Sequence, residues 1–308
     1  SHGFRGPEIS EDKPSNTFRV FVVGGSTTYG SGVNDANTIP SLLQKKLDEK
    51  NYAQTIEVIN AGVSGARSVE EIKLIKGKLL NFAPDLIIAY DGYNDIKSYY
   101  GENIDPEDSQ FSEKESSAIN WKANWIELCK LGEAHNFKTI VTLQPLLGTG
   151  NKLLTDNEFA MMKSYGFSTI LDEGYVNFAD QLDEINQNCA AAYDLRYVFD
   201  MHLGPIYWDY VHVGNSGNEI VAKIFYEIIN DSIKNNDNSK NKINEFSASV
   251  YNIQKLLIDK IKAEKIELSS KDYSDQNLVG KNFFADHIKD TDFSNANLMG
   301  ADFRFANL

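Results

Sequence analysis

Ser26 stands at the end of an apolar run, in "VFVVGGSTTYG", where two glycines and a serine interrupt residues that favour strands. A turn of this composition does one of two jobs. Its backbone N–H groups cradle a phosphate, or it lifts the serine hydroxyl out of the chain as a nucleophile. A Walker-type phosphate loop carries a lysine followed by Ser or Thr after its glycines, and no lysine lies near this one. A dinucleotide fingerprint needs Gly-x-Gly-x-x-Gly, a spacing that Gly24, Gly25 and Gly30 do not have. The nucleophile reading makes harder demands. A histidine must take the hydroxyl proton, a carboxylate must orient that histidine, and donors must meet the oxyanion. The stretch "WDYVHVGNSGNE" supplies Asp209 and His212 three residues apart, so one loop can hold both. The loop "NAGVSGARS" offers glycines whose backbone N–H can approach a ligand. "YDGYNDI" offers Asn94, whose side-chain amide is a donor. Each residue also has a plain structural reading: Ser26 as a helix cap, Asn94 as a turn former, His212 as a hydrogen-bonded histidine.

These residues need strand ends to converge. Five short apolar runs stand out: Phe18–Val23, Thr55–Asn60, Asp85–Tyr90, Lys138–Gln144 and Arg196–Phe199. Their apolar residues are nearly continuous, which suits parallel strands buried on both faces. Helical patterns separate them. Thr38 caps "TIPSLLQKKLDEK", with Pro40 tolerated in the first turn. Ser68 and Glu71 have the spacing of a capping box. Ile220, Val221, Ile224, Phe225 and Ile228 share one helical face. The alternation predicts a three-layer α/β/α sandwich with a five-stranded parallel sheet over residues 17–234, after an N-terminal extension of residues 1–16. Residues 96–120 and 145–195 exceed that plan, as excursions that either shape a substrate cleft or decorate the surface. Trp121 and Trp125, one helical turn apart, either line a pocket or pack a helix face.

The chain has 308 residues and a formal charge of −14, which argues against nucleic acid and anionic membranes as partners. Its two cysteines show no metal-type spacing and no evident disulfide framework. The residues form no metal constellation around Asp91 and Asp95, and neither metal nor cofactor is expected. The chain opens "SHGFRGPE" without methionine, as a trimmed or tagged chain would, which leaves room for a native signal peptide or anchor.

After a polar stretch and one helical pattern, residues 235–265, the period changes. Tyr273, Leu278, Phe283, Ile288, Phe293, Leu298, Phe303 and Leu308 recur every fifth residue. A five-residue period fits neither helix nor ordinary strand and implies a solenoid with these side chains inward. Residues 266–308 resemble the pentapeptide-repeat family, which implies a short right-handed quadrilateral β-helix and leaves self-association through it open.

The four segments around Ser26, "GVSG", "YDGYNDI" and "WDYVH", in this order, resemble the SGNH (GDSL-type) hydrolase superfamily. The resemblance implies a flavodoxin-like sandwich, with Ser26, Asp209 and His212 as catalytic residues and Ser26, Gly65 and Asn94 as the oxyanion hole. Gly62 is the rival to Gly65, and His202 the rival base. One position departs: Gly25 stands where the family's Gly-Asp-Ser block has Asp. The implied activity is a serine esterase acting on a small acyl ester of a carbohydrate or a lipid. An O-acyltransferase using the same site, or a weakly catalytic scaffold built on the repeats, is the alternative reading. Members preceded by a "GFRG"-like segment imply an extracytoplasmic location.

Overall fold

The computed structural model describes residues 2–99, 111–164, 168–234, 273–279, 292–299 and 301. Strands β1 (Thr17–Gly24), β2 (Thr55–Asn60), β3 (Leu86–Asp91), β4 (Lys138–Leu143) and β5 (Ala191–Asp194) form one sheet in the order β2-β1-β3-β4-β5. Every pairing is parallel. The continuous apolar run of β1 explains its central place: Val20 to Val23 are fully buried, and successive side chains enter opposite cores. Val20 and Val22 pack with Leu43 and Leu47 of α2 (Ile39–Asp48) and with Val221 and Phe225 of α9 (Asn215–Lys234). Phe21 and Val23 face the other layer. There they meet α3 (Ser68–Gly77), α5 (Phe111–His135), α7 (Ser168–Asp180) and α8 (Leu182–Asn188). The remaining α-helices among the described residues are α1 (Ser26–Tyr29), α4 (Tyr93–Tyr99) and α6 (Asp156–Ser164).

Three expectations change. The fifth strand is Ala191–Asp194, not Arg196–Phe199. The second run is rich in strand formers, yet Arg196 donates its backbone N–H to the Asp194 carboxylate and the chain turns there, burying Leu195 and Phe199 beside the sheet. The Ser68–Glu71 capping box does not form: Ser68 gives both its N–H and its hydroxyl to Asp95, while Glu71 is buried. Cys129 and Cys189 form a disulfide, Cα to Cα 5.1 Å, tying α5 to the segment that leads into β5.

Trp121 and Trp125 are fully buried core residues, which settles them as a packed face. The second excursion is core as well: Tyr175 and Phe178 of α7 are fully buried, and the Tyr175 hydroxyl donates to Gln144 O at 2.9 Å. In the C-terminal part, Asn277 bridges Asn297 in parallel, and the Tyr273 ring stacks on Phe293 at 5.4 Å. Both pairs join residues twenty positions apart, four times the five-residue period. The linker and helix expected at 235–265 and the repeat positions Phe283, Ile288, Phe303 and Leu308 lie outside the described residues.

Candidate active site

The site forms where the carboxyl ends of β1, β2 and β3 meet. These strands are sheet neighbours, and the chain reverses its direction of growth between β1 and β3, which opens a crevice at that edge. β1 ends at Gly24, with φ +153°, where a Cβ would lie 2.4 Å from Tyr90 O. Only glycine lets the chain leave β1 so close to β3. One helical turn follows at once. Ser26 opens it, Tyr29 N bonds Gly25 O at 3.0 Å, and Gly30, with φ +90°, closes it onto Ser26 O. Ser26 is therefore fixed at the start of a tight turn directly above the sheet.

His212 reaches Ser26 from a hairpin between β5 and α9. Tyr207 and Val213 pair antiparallel, Trp208 N bonds His212 O at 3.1 Å, and Gly214 N bonds Ile206 O at 2.9 Å. Within this hairpin Asp209 uses both carboxylate oxygens. Oδ1 accepts the N–H groups of Val211 at 2.9 Å and His212 at 2.7 Å, an Asx-type closure of the turn. Oδ2 lies 2.7 Å from His212 Nδ1, and His212 Nε2 lies 2.7 Å from Ser26 Oγ. Partial burial pushes the Asp209 carboxyl up, but the His212 ring and the two backbone N–H groups outweigh it and hold it below its ordinary value. The structure pairs Ser26 with His212, while His202 donates its backbone N–H to Phe199 O.

The hairpin has its own anchors. The Glu158 carboxylate, 1% exposed, accepts the N–H groups of Ile206 at 2.8 Å and Tyr207 at 3.1 Å and pairs with Lys152 at 2.8 Å. Leu147 N bonds Tyr210 O at 2.9 Å, joining the tip to the segment after β4. Trp208 stacks on His212 with ring centres 5.0 Å apart and planes 19° from parallel. Trp208 was missed in the sequence; an aromatic residue directly before the Asp-x-x-His stretch was the available signal.

Asn94 is the second residue of α4, after Gly92. Its Nδ2 donates to Ala66 O at 2.8 Å, which pins the amide and leaves its other N–H for a second acceptor. The same atom explains Gly25. A Cβ at Gly25 would stand 2.3 Å from Asn94 Nδ2, so the Asn94 amide lies against the backbone just before Ser26. Gly65, one residue before Ala66, is exposed and has φ +79° with open space around its Cα, so its conformation and not crowding calls for glycine. Gly62 differs. Its N–H is taken by Asn60 Oδ1 at 3.0 Å, and a Cβ there would strike Tyr29 N at 2.2 Å. It is a packing glycine beneath α1.

Behind Asn94, carboxyl groups brace the same loop. Asp95 accepts the Ser68 hydroxyl at 2.5 Å and the Ser68 N–H at 2.9 Å, so residues 94 and 95 together grip residues 66 and 68. Asp91 accepts Trp121 Nε1 at 3.1 Å. Burial, then the neighbouring Asp95, pushes the Asp91 carboxyl well up against its hydrogen bonds. Burial likewise raises Glu71, helped by Asp91 and Asp95.

The sequence profile of the GDSL-like Lipase/Acylhydrolase family matches residues 22–219, well over half of the chain. The chain belongs to this family and is an ester hydrolase of the SGNH type. Among curated proteins none matches the sequence. Solved structures share the fold. An acetyl xylan esterase is 19% identical with a TM-score of 0.50, covering 69% of this chain and 100% of its own. A putative acylhydrolase from Bacteroides fragilis NCTC 9343 is 16% identical with a TM-score of 0.50, covering 72% of this chain and 91% of its own. A member of the lipolytic G-D-S-L family from Veillonella parvula DSM 2008 is 14% identical with a TM-score of 0.50, covering 69% and 98%.

Proposed function

We propose that the protein is a serine esterase whose nucleophile is Ser26, whose base is His212 and whose orienting carboxylate is Asp209. The observation that carries this reading is the unbroken chain from Ser26 Oγ through the two imidazole nitrogens to Asp209 Oδ2, each contact 2.7 Å. Asp209 accepts a hydrogen bond from Nδ1–H without taking its proton, and so leaves Nε2 free to take the Ser26 proton as Oγ bonds the ester carbonyl carbon. The carbonyl oxygen becomes an oxyanion, met by the N–H groups of Ser26 and Gly65 and the free N–H of the Asn94 amide. His212 then returns its proton to the leaving alcohol as the C–O bond breaks. Water attacks the acyl-enzyme, gives its proton to His212, and Ser26 is regenerated as the carboxylic acid departs. The substrate in this reading is a short-chain acyl ester, an O-acetylated carbohydrate among them; the acetyl xylan esterase of like fold is named for such a substrate.

We also infer that the described segments 273–279 and 292–299 are neighbouring coils of a quadrilateral β-helix. The parallel bridge at a separation of four repeats and the stacked Tyr273 and Phe293 rings support it.

The test is hydrolysis of p-nitrophenyl esters from acetate to decanoate, with Ser26→Ala alongside. Turnover falling off with chain length and abolished by Ser26→Ala is expected. Turnover that survives Ser26→Ala, or no turnover and no covalent labelling by a fluorophosphonate, sinks the reading.

A further inference from the structure

The motif "GFRG" near the start of the chain has no role in the chemistry above, yet its arginine is built into the site's frame. Phe4 packs against Phe21 and Phe82 with ring centres 5.6 and 5.3 Å away, and Arg5 N bonds Asn60 O at 3.3 Å. These contacts fix the segment on the domain. The Arg5 side chain, 14% exposed, then spreads its whole fork over the loop that follows the nucleophile turn. Nη1 donates to Tyr29 O at 2.7 Å and Gly30 O at 2.6 Å, Nη2 to Val33 O at 2.7 Å, and Nε to Asp35 Oδ1 at 2.9 Å. Its plane also lies over the Tyr29 ring at 4.9 Å. A planar guanidinium is the side chain that can satisfy four acceptors in fixed directions at once.

Both ends of the catalytic pair meet this loop. Upstream it is the one-turn helix that starts with Ser26. In its middle Gly32, with φ +83°, presses on the indole of Trp208, where a Cβ would come within 2.7 Å of Cζ2. Trp208 in turn stacks on His212. We propose that Arg5 is a positioning residue that sets the Ser26–His212 alignment, holding the nucleophile turn directly and the imidazole through Gly32 and Trp208. This rests on the esterase reading above. Misplacing reacting groups by about 1 Å from a distance can cost about 100-fold in rate, so the alignment is worth a dedicated clamp.

The test uses the full chain with Arg5→Met, which keeps an unbranched apolar stem but removes the guanidinium, with Arg5→Ala, and with Gly32→Ala. Two readouts are taken beside thermal melts. One is the rate at which a fluorophosphonate labels Ser26, with kcat and KM for p-nitrophenyl acetate. The other is acrylamide quenching of indole emission; Trp121 and Trp125 are fully buried, so the quenchable emission is that of Trp208. Labelling and kcat are expected to fall about 10- to 100-fold with KM within about threefold, and quenching of Trp208 to change in both Arg5→Met and Gly32→Ala. Millimolar guanidinium is expected to restore part of the Arg5→Ala rate, and the combined variant to be less impaired than the product of the single losses. Variants that stay folded with labelling and quenching unchanged overturn the proposal, as does fully independent action of the two sites. A wild-type protein that resists the fluorophosphonate sinks the esterase reading instead, and the quenching series still judges the coupling.

Discussion

Restoring the family's aspartate at position 25 is expected to damage the enzyme. Gly25 has φ −79° and ψ −147°, so its φ is negative, as L side chains prefer. The obstacle is Asn94, whose Nδ2 lies 2.3 Å from where a Cβ would stand. An ordinary contact requires that amide to retreat by about 1 Å. Retreat withdraws the free N–H from the proposed oxyanion position. Ala66 O lies 3.6 Å from the same Cβ, at about a right angle to the retreat, so the 2.8 Å bond to Ala66 O lengthens only to about 3.0 Å and holds. Losing one such donor costs about 10²- to 10³-fold in kcat, or about 2.7–4 kcal/mol. Gly25→Ala is therefore expected to lower kcat by about 10²-fold, and Gly25→Asp further, because its carboxylate adds negative charge where negative charge develops. The displaced atom is the end of a side chain, so the fold gives way cheaply, and the thermal midpoint and KM are expected to move little. The assay is steady-state hydrolysis of p-nitrophenyl acetate by wild type, Gly25→Ala, Gly25→Asp, Asn94→Ala and the double variant G25A/N94A. If Gly25 acts through Asn94, adding Gly25→Ala to Asn94→Ala costs nothing more. Gly25→Asp equal to wild type, or a full additional loss in the double variant, would refute the reasoning.

Asp209→Asn presents an amide N–H to His212 Nδ1 and favours the wrong tautomer; kcat is expected to fall about 10³- to 10⁴-fold, with circular dichroism unchanged because Oδ1 still closes the turn. Glu158 gives a pH signature. Burial pushes its carboxyl up, but Lys152 and the backbone N–H groups of Ile206, Thr155 and Tyr207 hold it down at about 2. A carboxyl depressed in the folded state stabilises above its unfolded value and loses that contribution as pH falls. Thermal midpoints of wild type are thus expected to drop between about pH 4.5 and about pH 2, a slope that flattens in Glu158→Gln. At neutral pH the same variant is expected to lose about 3–5 kcal/mol, read from denaturant melts, because Lys152 is left buried without its counter-charge. Reducing the Cys129–Cys189 bond, which spans 60 positions, is expected to cost up to about 4 kcal/mol in denaturant melts while leaving kcat at 25 °C intact.

What the sequence disclosed was whatever rests on local spacing. Asp209 and His212 stand close enough to share one hairpin, and the Ser26 turn announces itself as glycines after an apolar strand. Four of the five strands were legible because buried parallel strands are continuous apolar runs. The fifth was not, because Ala191 and Ala192 carry little strand signal, while the neighbouring turn holds Tyr197, Val198 and Phe199. The Ser68–Glu71 spacing misled for a tertiary reason: Asp95, 27 positions away, offers Ser68 a better partner than its own helix does. The meaning of Gly25, the brace at Trp208 and the reach of Arg5 depend on contacts between distant segments, and composition carries no trace of them.

The strand order divides the labour in the site. β2, β1 and β3 are adjacent, so the Gly65 loop, the Ser26 turn and the Asn94 turn emerge side by side. Asn94 and Asp95 need only short bonds to Ala66 and Ser68 to lock the loop to its neighbour. His212, the proposed base, has no such advantage. It follows β5, with β3 and β4 standing between that strand and β1, and must be carried back across the sheet edge by a hairpin. Such a hairpin is held only as well as its supports. Those supports are buried or stacked rather than local: Glu158 under Ile206 and Tyr207, Leu147 against Tyr210, and Trp208 between Gly32 and the imidazole. Defects near Asn94 should therefore weaken oxyanion binding and leave the pH profile alone, whereas defects in the hairpin supports should move the apparent pKa of the base and kcat together.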